Sequence, residues 1–241
     1  MRRLLLALAA GSLATACATG APAGARPWLA EGYEPFSRPA APRAVPRPAE
    51  AAAAPLAVAP GARESAVVAA QRLVGHQQIV VNGQRFGDDC TGLVRAVYSQ
   101  VGVDLMAAGE PGDNGVTAIW RFASRHGRIY TGGVPVAGDL VFFRETYDLN
   151  RDGRDNDGLT HVGLVEGVEA DGTVTVIHRV ARGVVRYRMN LAYRESATSP
   201  AGRKVNDWLR SAGPGNKPRL TAELFAGYAT LLPVERRIAG R

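Results

Sequence analysis

Residues 159–180 read LTHVGLVEGVEADGTVTVIHRV, and the way this stretch folds decides the architecture. Two apolar runs, His161 to Val168 and Thr173 to Val180, flank Glu169-Ala170-Asp171-Gly172, a turn sequence. Strand-forming runs around such a turn predict an antiparallel hairpin. Each arm carries one histidine, His161 on the first and His178 on the second. Side chains alternate faces along a strand, so the two share a face only if the turn has an even length. With Glu169 to Gly172 as the loop, Val168 pairs with Thr173 and His178 faces Gly163. His161 is then its diagonal neighbour at roughly 7–8 Å. A turn of Asp171-Gly172 alone keeps the faces but sets the two about four residues, ~13 Å, apart. The longer loop suits a linked pair.

Around the hairpin, Leu140 to Phe143 reads as a further short strand, and Val184 to Leu191 alternates like another. Upstream the period changes to helical. Ala62 to Val74 has Val67, Ala70 and Val74 on one side, with Gly75 as a stop. His76 to Gly87, containing Asn82-Gly83, reads as a loop or short hairpin. From Cys90 to Gln100, Leu93, Val94, Val97, Tyr98 and Val101 recur at three- and four-residue spacing, an amphipathic helix that Asp88 or Asp89 can cap. Asp113 to Ser124 predicts another helix, and short helices around Trp208 and around Leu224 to Tyr228 are expected to close the C-terminal end. Helices first and a meander of strands afterwards predict an α+β domain, with N-terminal helices packed on an antiparallel sheet. The chain shows no internal repeat.

The first quarter differs. Residues 1–17 end in Ala14-Thr15-Ala16-Cys17 after Arg2, Arg3 and an apolar run from Leu4 to Ala10. That is the build of a secretory signal, too short to span a bilayer as a mature helix. Residues 18–62 hold nine prolines and sixteen alanines with few large apolar side chains, a composition that predicts a disordered tether. Fully extended, such a chain reaches ~140 Å at most. The folded domain is therefore expected over 63–241. Of 241 residues, 29 are basic and 22 acidic, a formal net charge of +7. No dense basic stripe interleaved with aromatics occurs, so a nucleic-acid partner is not expected, and a basic surface suits contact with anionic polymers.

The chain has two cysteines, Cys17 and Cys90. Export leads to an oxidising compartment, yet with Cys17 in the leader Cys90 has no partner there, and such a thiol is either buried or employed. Its place at a helix start favours employment. Unpaired backbone N–H groups and the partial positive charge of the helix end favour thiolate, and the same N–H groups can hold an oxyanion. Of the four histidines, His126 lies at a helix end in a surface setting and His76 lies just past a helix stop. His161 and His178 remain. His161 can take the thiol proton and pass it to a leaving amine, and His178 can hold His161 in the right tautomer by accepting its other N–H.

These residues resemble the NlpC-type family of bacterial cell-wall peptidases, papain-like enzymes with a Cys-His-His site. The resemblance rests on Asp89-Cys90-Thr91-Gly92-Leu93-Val94, where the family shows Asp-Cys-Ser-Gly-Leu-Val. It continues in Gly138-Asp139-Leu140-Val141-Phe142-Phe143, in Thr160-His161-Val162-Gly163-Leu164-Val165 and in Val176-Ile177-His178, over about residues 65–190. It implies a papain-like fold and hydrolysis of peptidoglycan stem peptides, typically at a γ-D-glutamyl–diamino acid bond. It also implies Cys90 as nucleophile, His161 as base and His178 as the orienting residue. The Ala14-to-Cys17 tetrad similarly resembles a lipobox, which implies a lipid anchor on Cys17 and a membrane-attached protein facing periplasm or wall. An amidase cutting the sugar–peptide link and a non-catalytic wall-binding module are the alternatives.

The chain departs from the family pattern in two places. Gln78 stands where the family often has a tyrosine near the oxyanion, and its amide is a candidate donor there. The stretch from Glu145 to Leu159 is an insert. Within it Asp148, Asn150, Asp152 and Asp157 surround Gly153 in a spacing that resembles a calcium loop, although Leu159 occupies the position of the usual bidentate acid. No cofactor is expected to be required, and calcium would be structural.

Overall fold

The computed structural model of the chain describes residues 56–213 and 217–234. The leader with Cys17, and residues 18–55 of the expected tether, lie outside them. The last part of that segment belongs to the folded unit. Leu56 and Val58 pack against the core, and helix α1 begins at Ala62 (Ala62–Leu73). Two apolar side chains at the end of a proline- and alanine-rich run are enough to dock it.

Small residues shape the helical layer. Helix α1 buries Ala62, Ala66, Ala69, Ala70 and Leu73. A two-strand ribbon, β1 (Val80–Val81) and β2 (Gln84–Arg85), turns on Asn82-Gly83 as its sequence predicts. Helix α2 (Cys90–Ser99) follows, burying Leu93, Val94, Ala96, Val97 and Tyr98. Asp89 Oδ1 accepts the Gly92 N–H at 2.7 Å, a cap worth about 1 kcal/mol. Gly92 has a steric reason as well: a Cβ there would lie 1.8 Å from the Gly87 carbonyl oxygen. Helix α3 (Gly115–His126) is capped by Asn114, whose side chain accepts the Thr117 N–H.

The strands that follow are β3 (Arg128–Tyr130), β4 (Leu140–Arg144), β5 (Leu159–Val168), β6 (Val174–Val180), β7 (Gly183–Met189), β8 (Trp208–Arg210) and β9 (Arg219–Leu220). A short helix α4 (Thr221–Leu224) leads into β10 (Phe225–Thr230). Six strands form one antiparallel sheet in the order β3-β10-β4-β5-β6-β7, while β8 and β9 pair as a separate ribbon. Strand alternation gives the sheet two buried faces. Leu140, Phe142, Val162, Leu164 and Ile177 join the helical core, whereas Val141, Phe143, Val165, Val174 and Val176 pack with Ala222, Leu224, Phe225 and Tyr228. The fold is α+β, with the N-terminal helices on an antiparallel sheet, as the order of elements predicts.

The C-terminal expectation needs correction. Trp208 begins a strand, and of the helix expected over 224–228 only the single turn of α4, ending at Leu224, is helical. Phe225 to Thr230 is a strand inserted between β3 and β4. The run FAGYAT is apolar and short, and it is buried almost throughout. A strand covered on both faces lacks the alternation that reveals a half-exposed one. This late strand completes the sheet next to β4.

One buried polar cluster joins the beginning and end of the folded unit. Arg63 of α1 donates to the carbonyl oxygens of Ala137, Leu232 and Pro233 and forms an ion pair with Asp139 at 2.8 Å. Asp139 is fully buried and also accepts the Tyr130 hydroxyl and the Val136 N–H. Removing one partner of a buried pair strands the other's charge. Arg63→Met is therefore expected to destabilise the protein by roughly 3–5 kcal/mol in denaturant titration. A loss under about 1 kcal/mol would show that the cluster is solvated.

Candidate active site

The hairpin read from residues 159–180 forms with a compensation. The loop is one residue longer than expected, because Val168 pairs with Val174 rather than with Thr173. A bulge between Val165 and Gly167 then cancels the extra residue, and Leu164 pairs with Ile177. The bulged residue, Glu166, is held by Arg186 of β7 at 2.6 Å and by Gln71 of α1 at 2.9 Å. Beyond Leu164, Gly163 and His178 come side by side: a Cβ on Gly163 would lie 2.6 Å from a Val176 methyl and 3.1 Å from the His178 Cβ. The absent side chain lets the imidazoles converge. His161 Nε2 lies 2.7 Å from His178 Nδ1, with the rings nearly perpendicular.

This contact decides the tautomers. The His161 nitrogen still available to a substrate or thiol is Nδ1. If His161 is to accept a proton there, its Nε2 carries hydrogen and His178 Nδ1 accepts it, which places the His178 proton on Nε2. His178 is fully buried, its Nε2 has no hydrogen-bond partner among the described residues, and the Tyr187 ring lies 4.4 Å away. Burial, followed by the charges of His161 and Arg182, holds His178 well below the usual imidazole range, so it stays neutral.

Cys90, half-buried at the first position of α2, lies against β5. The backbone N–H of Val162, next to His161, stabilises its sulfur, as do those of Thr91 and Cys90 itself. The sequence predicts an acidic thiol on account of the helix start; the surroundings oppose this. Burial, with the Asp89 carboxylate adding to it, pushes the thiol up to about 11 against the pull of the N–H groups. Burial also lowers His161 to about 4, while Asp89 acts the other way. Both effects disfavour charge, so the resting pair is a thiol and a neutral imidazole. Such a pair can transfer its proton as the sulfur attacks, with His161 as general base.

The other expected residues lie elsewhere. Gln78 is exposed ahead of β1, and its amide makes no hydrogen bond among the described residues. Its neighbour Gln77 bonds the turn between β6 and β7 through the Arg182 carbonyl and the Arg179 guanidinium. His126 stacks on Phe122, and His76 faces the Leu73 carbonyl at the end of α1. Neither approaches the pair. In the insert, the Asp148 carboxylate accepts the N–H groups of Asp152 and Gly153, Asn150 Oδ1 that of Asp152, Asp152 that of Arg154, and Asp157 those of Leu149 and Asn150. No group of three or more His, Cys, Asp or Glu among the described residues is arranged to hold a metal ion.

One further residue escapes a reading by motif. Partial burial, followed by the charges of Cys90, Asp89 and Asp157, raises the phenol of Tyr147 in the insert. Its only sequence signal is an aromatic side chain in a polar loop.

The CHAP domain family matches residues 65–179, which include Cys90, His161 and His178. Residues 65–179 are thus similar to a CHAP domain. Domains of this kind are cysteine- and histidine-dependent amidohydrolases or peptidases, in keeping with the papain-like cell-wall peptidases that the motifs resemble. The match ends at Arg179, so β7 and β10, both needed by the sheet, lie beyond it. Among solved structures, "The crystal structure of Ly7917" matches at 16% identity and a TM-score of 0.40, covering 70% of this chain and 62% of that one. "The crystal structure of Ly7917 with the hydrolyzing product of MDP" matches at 18% and 0.42 with the same coverage. The chain thus spans 62% of the length of these structures. No curated protein matches it.

The candidate site gives two expectations. A protonated His161 cannot act as base, so kcat/KM is expected to fall on the acid side near pH 4, with the alkaline limb above pH 9. An acid limb at 6.5, the ordinary imidazole value, would contradict the burial argument. Stability follows the same group: unfolding frees His161 to take a proton near 6.5 that the folded state refuses until about 4, so Tm should drop as pH falls through that interval. For the insert, whose oxygens already serve backbone N–H groups, chelator is expected to shift Tm by less than about 1 °C. A fall of several degrees, reversed by calcium, would show that the loop binds the ion.

Proposed function

We propose that this protein is an exported cysteine endopeptidase that hydrolyses peptidoglycan stem peptides at a γ-D-glutamyl–diamino acid type bond. The observation that supports it most is the 2.7 Å contact between His161 and His178, on a sheet whose strand β5 meets the thiol at the start of α2 through Val162. The CHAP match and the cell-wall-peptidase spacing of the motifs point the same way.

In this reaction His161 Nδ1 removes the thiol proton as Sγ adds to the scissile carbonyl. The oxyanion faces the N–H groups at the start of α2. The imidazolium then gives that proton to the amine, the C–N bond breaks, and a thioester remains on Cys90. Water adds to the thioester with His161 again as base, and loss of the sulfur restores the thiol and frees a carboxylic acid. His178 takes no proton; it positions His161. The leader supports export, and its lipobox-like end supports a lipid anchor on Cys17, which would keep the enzyme at a membrane facing the wall. No metal takes part in these steps.

Purified peptidoglycan digested with wild type and with Cys90→Ala, and analysed by mass spectrometry, tests this. Wild type is expected to release fragments cut between glutamyl and diamino acid residues, and Cys90→Ala to lose at least about 10³-fold in rate. Fragments cut at the sugar–peptide link would instead identify an amidase. Unchanged release by Cys90→Ala would exclude covalent catalysis, and no release by wild type would favour a wall-binding module.

A further inference from the structure

We propose that Tyr187 of β7 is a positioning residue for the histidine pair: the face of its ring receives the buried Nε2–H of His178 and so fixes the tautomer in which His161 can act as a base. This rests on the reading of His161 as general base to Cys90. The geometry begins with the sheet, in which β6 lies between β5 and β7. His178 of β6 pairs with Val185 of β7, and Val176 pairs with Tyr187, so His178 and Tyr187 are diagonal neighbours on one face. His161 meets His178 from the other side, on β5. Three rings thus cross three neighbouring strands in a row, His161, His178 and Tyr187, with successive centroids 5.0 and 4.4 Å apart.

The middle ring has one nitrogen for each side. His178 Nδ1 is spent on His161 Nε2 at 2.7 Å, toward β5. Nε2 stands on the opposite edge of the imidazole and so looks toward β7. It belongs to a side chain that is 1% exposed, and it has no hydrogen-bond partner among the described residues. On that side lies the phenol ring, inclined at 66° to the imidazole. A six-membered ring reaches further from its centre than a five-membered one. A separation of 4.4 Å, at the short end for aromatic pairs, therefore suits the imidazole edge against the phenol face rather than the reverse. The phenol is itself held. Arg182, in the turn between β6 and β7, donates to the Tyr187 hydroxyl at 3.0 Å, and its guanidinium carbon lies 5.3 Å from the ring centre. Gln77 fastens that turn by donating to the Arg182 carbonyl at 2.6 Å.

Two neutral imidazoles in contact have two arrangements. In one, His161 Nε2–H points to His178 Nδ1, the His178 hydrogen is on Nε2, and His161 Nδ1 can accept the thiol proton. In the other, His178 Nδ1–H points to His161 Nε2, the His161 hydrogen is on Nδ1, and no base faces the thiol. The 2.7 Å contact couples the rings, and the group that meets His178 Nε2 selects between the two. The face of an aromatic ring is negative. It attracts an N–H and repels a nitrogen lone pair, which favours the first arrangement. The half-buried ring also keeps water, which could serve either arrangement, from that nitrogen.

Nuclear magnetic resonance of the histidine rings in the full chain, without substrate, tests this. In wild type the His178 Nε2–H proton is expected upfield of an ordinary imidazole N–H, because it sits over an aromatic face. Tyr187→Phe keeps the face and should keep hydrogen on Nε2 of both rings. Tyr187→Leu removes it, and the arrangement with hydrogen on both Nδ1 atoms should become populated. Acylation by p-nitrophenyl acetate gives the second readout: Sγ takes the acetyl group, His161 takes the thiol proton and p-nitrophenolate leaves. Its rate is expected to stay within about twofold of wild type in Tyr187→Phe and to fall about fivefold in Tyr187→Leu. A His178 Nε2–H without the upfield shift, or hydrogen still confined to Nε2 of both rings in Tyr187→Leu, would overturn the proposal. Equal losses in Tyr187→Phe and Tyr187→Leu would do the same, since the hydroxyl and not the face would then act. Acylation that persists in Cys90→Ala would overturn the reading of Cys90 as nucleophile, while the tautomers still judge Tyr187 by themselves.

Discussion

The separation of two ring nitrogens governs this molecule. His161 and His178 sit on neighbouring strands, and a one-residue slip between those strands would turn one imidazole to the opposite face. The hairpin loop has an odd length, which alone would cause that slip. The bulge at Glu166 restores register before the catalytic positions are reached. Arg186 and Gln71 hold the bulged side chain, so β7 and α1 both help to set the distance between the histidines. Gly163 completes the arrangement by leaving room where any side chain would push the strands apart. Residues distant from the chemistry thus determine whether a base exists.

Burial then decides the electrical state. A helix start favours a thiolate and a nearby carboxylate favours an imidazolium, but both groups sit where water is scarce. Desolvation is the largest influence on each, and it drives them toward neutrality. A neutral pair is ready to react yet carries no standing charge, and proton transfer accompanies bond formation. The N–H groups of Cys90, Thr91 and Val162 stabilise negative charge as it develops on or near the sulfur.

Much of this arrangement was legible in the residues themselves. Apolar residues at three- and four-residue spacing located α2, with Asp89, one of the two candidate caps, at its start, and the helix expected over Asp113 to Ser124 is α3, whose cap Asn114 comes from the structure. The facing of His178 and Gly163 also followed from strand parity, although through a loop and a bulge whose effects cancel, neither of which leaves a mark in a single sequence. Strand β10 was hidden because FAGYAT is covered on both sides, and an apolar run without alternation reads equally well as helix. The acidity expected of Cys90 failed for a related reason: helix position is a local property, whereas desolvation depends on chain segments far away.

The central claim is that His161 is a neutral base whose Nε2–H is given to His178. Nitrogen-15 NMR of the histidine rings measures this directly, because protonated, Nδ1–H and Nε2–H imidazoles have distinct shifts. At pH 5.5 the His161 ring should be neutral with hydrogen on Nε2, and it should gain a second proton only near pH 4. A His161 ring that is already charged at pH 5.5, or that carries its single proton on Nδ1, would contradict the account.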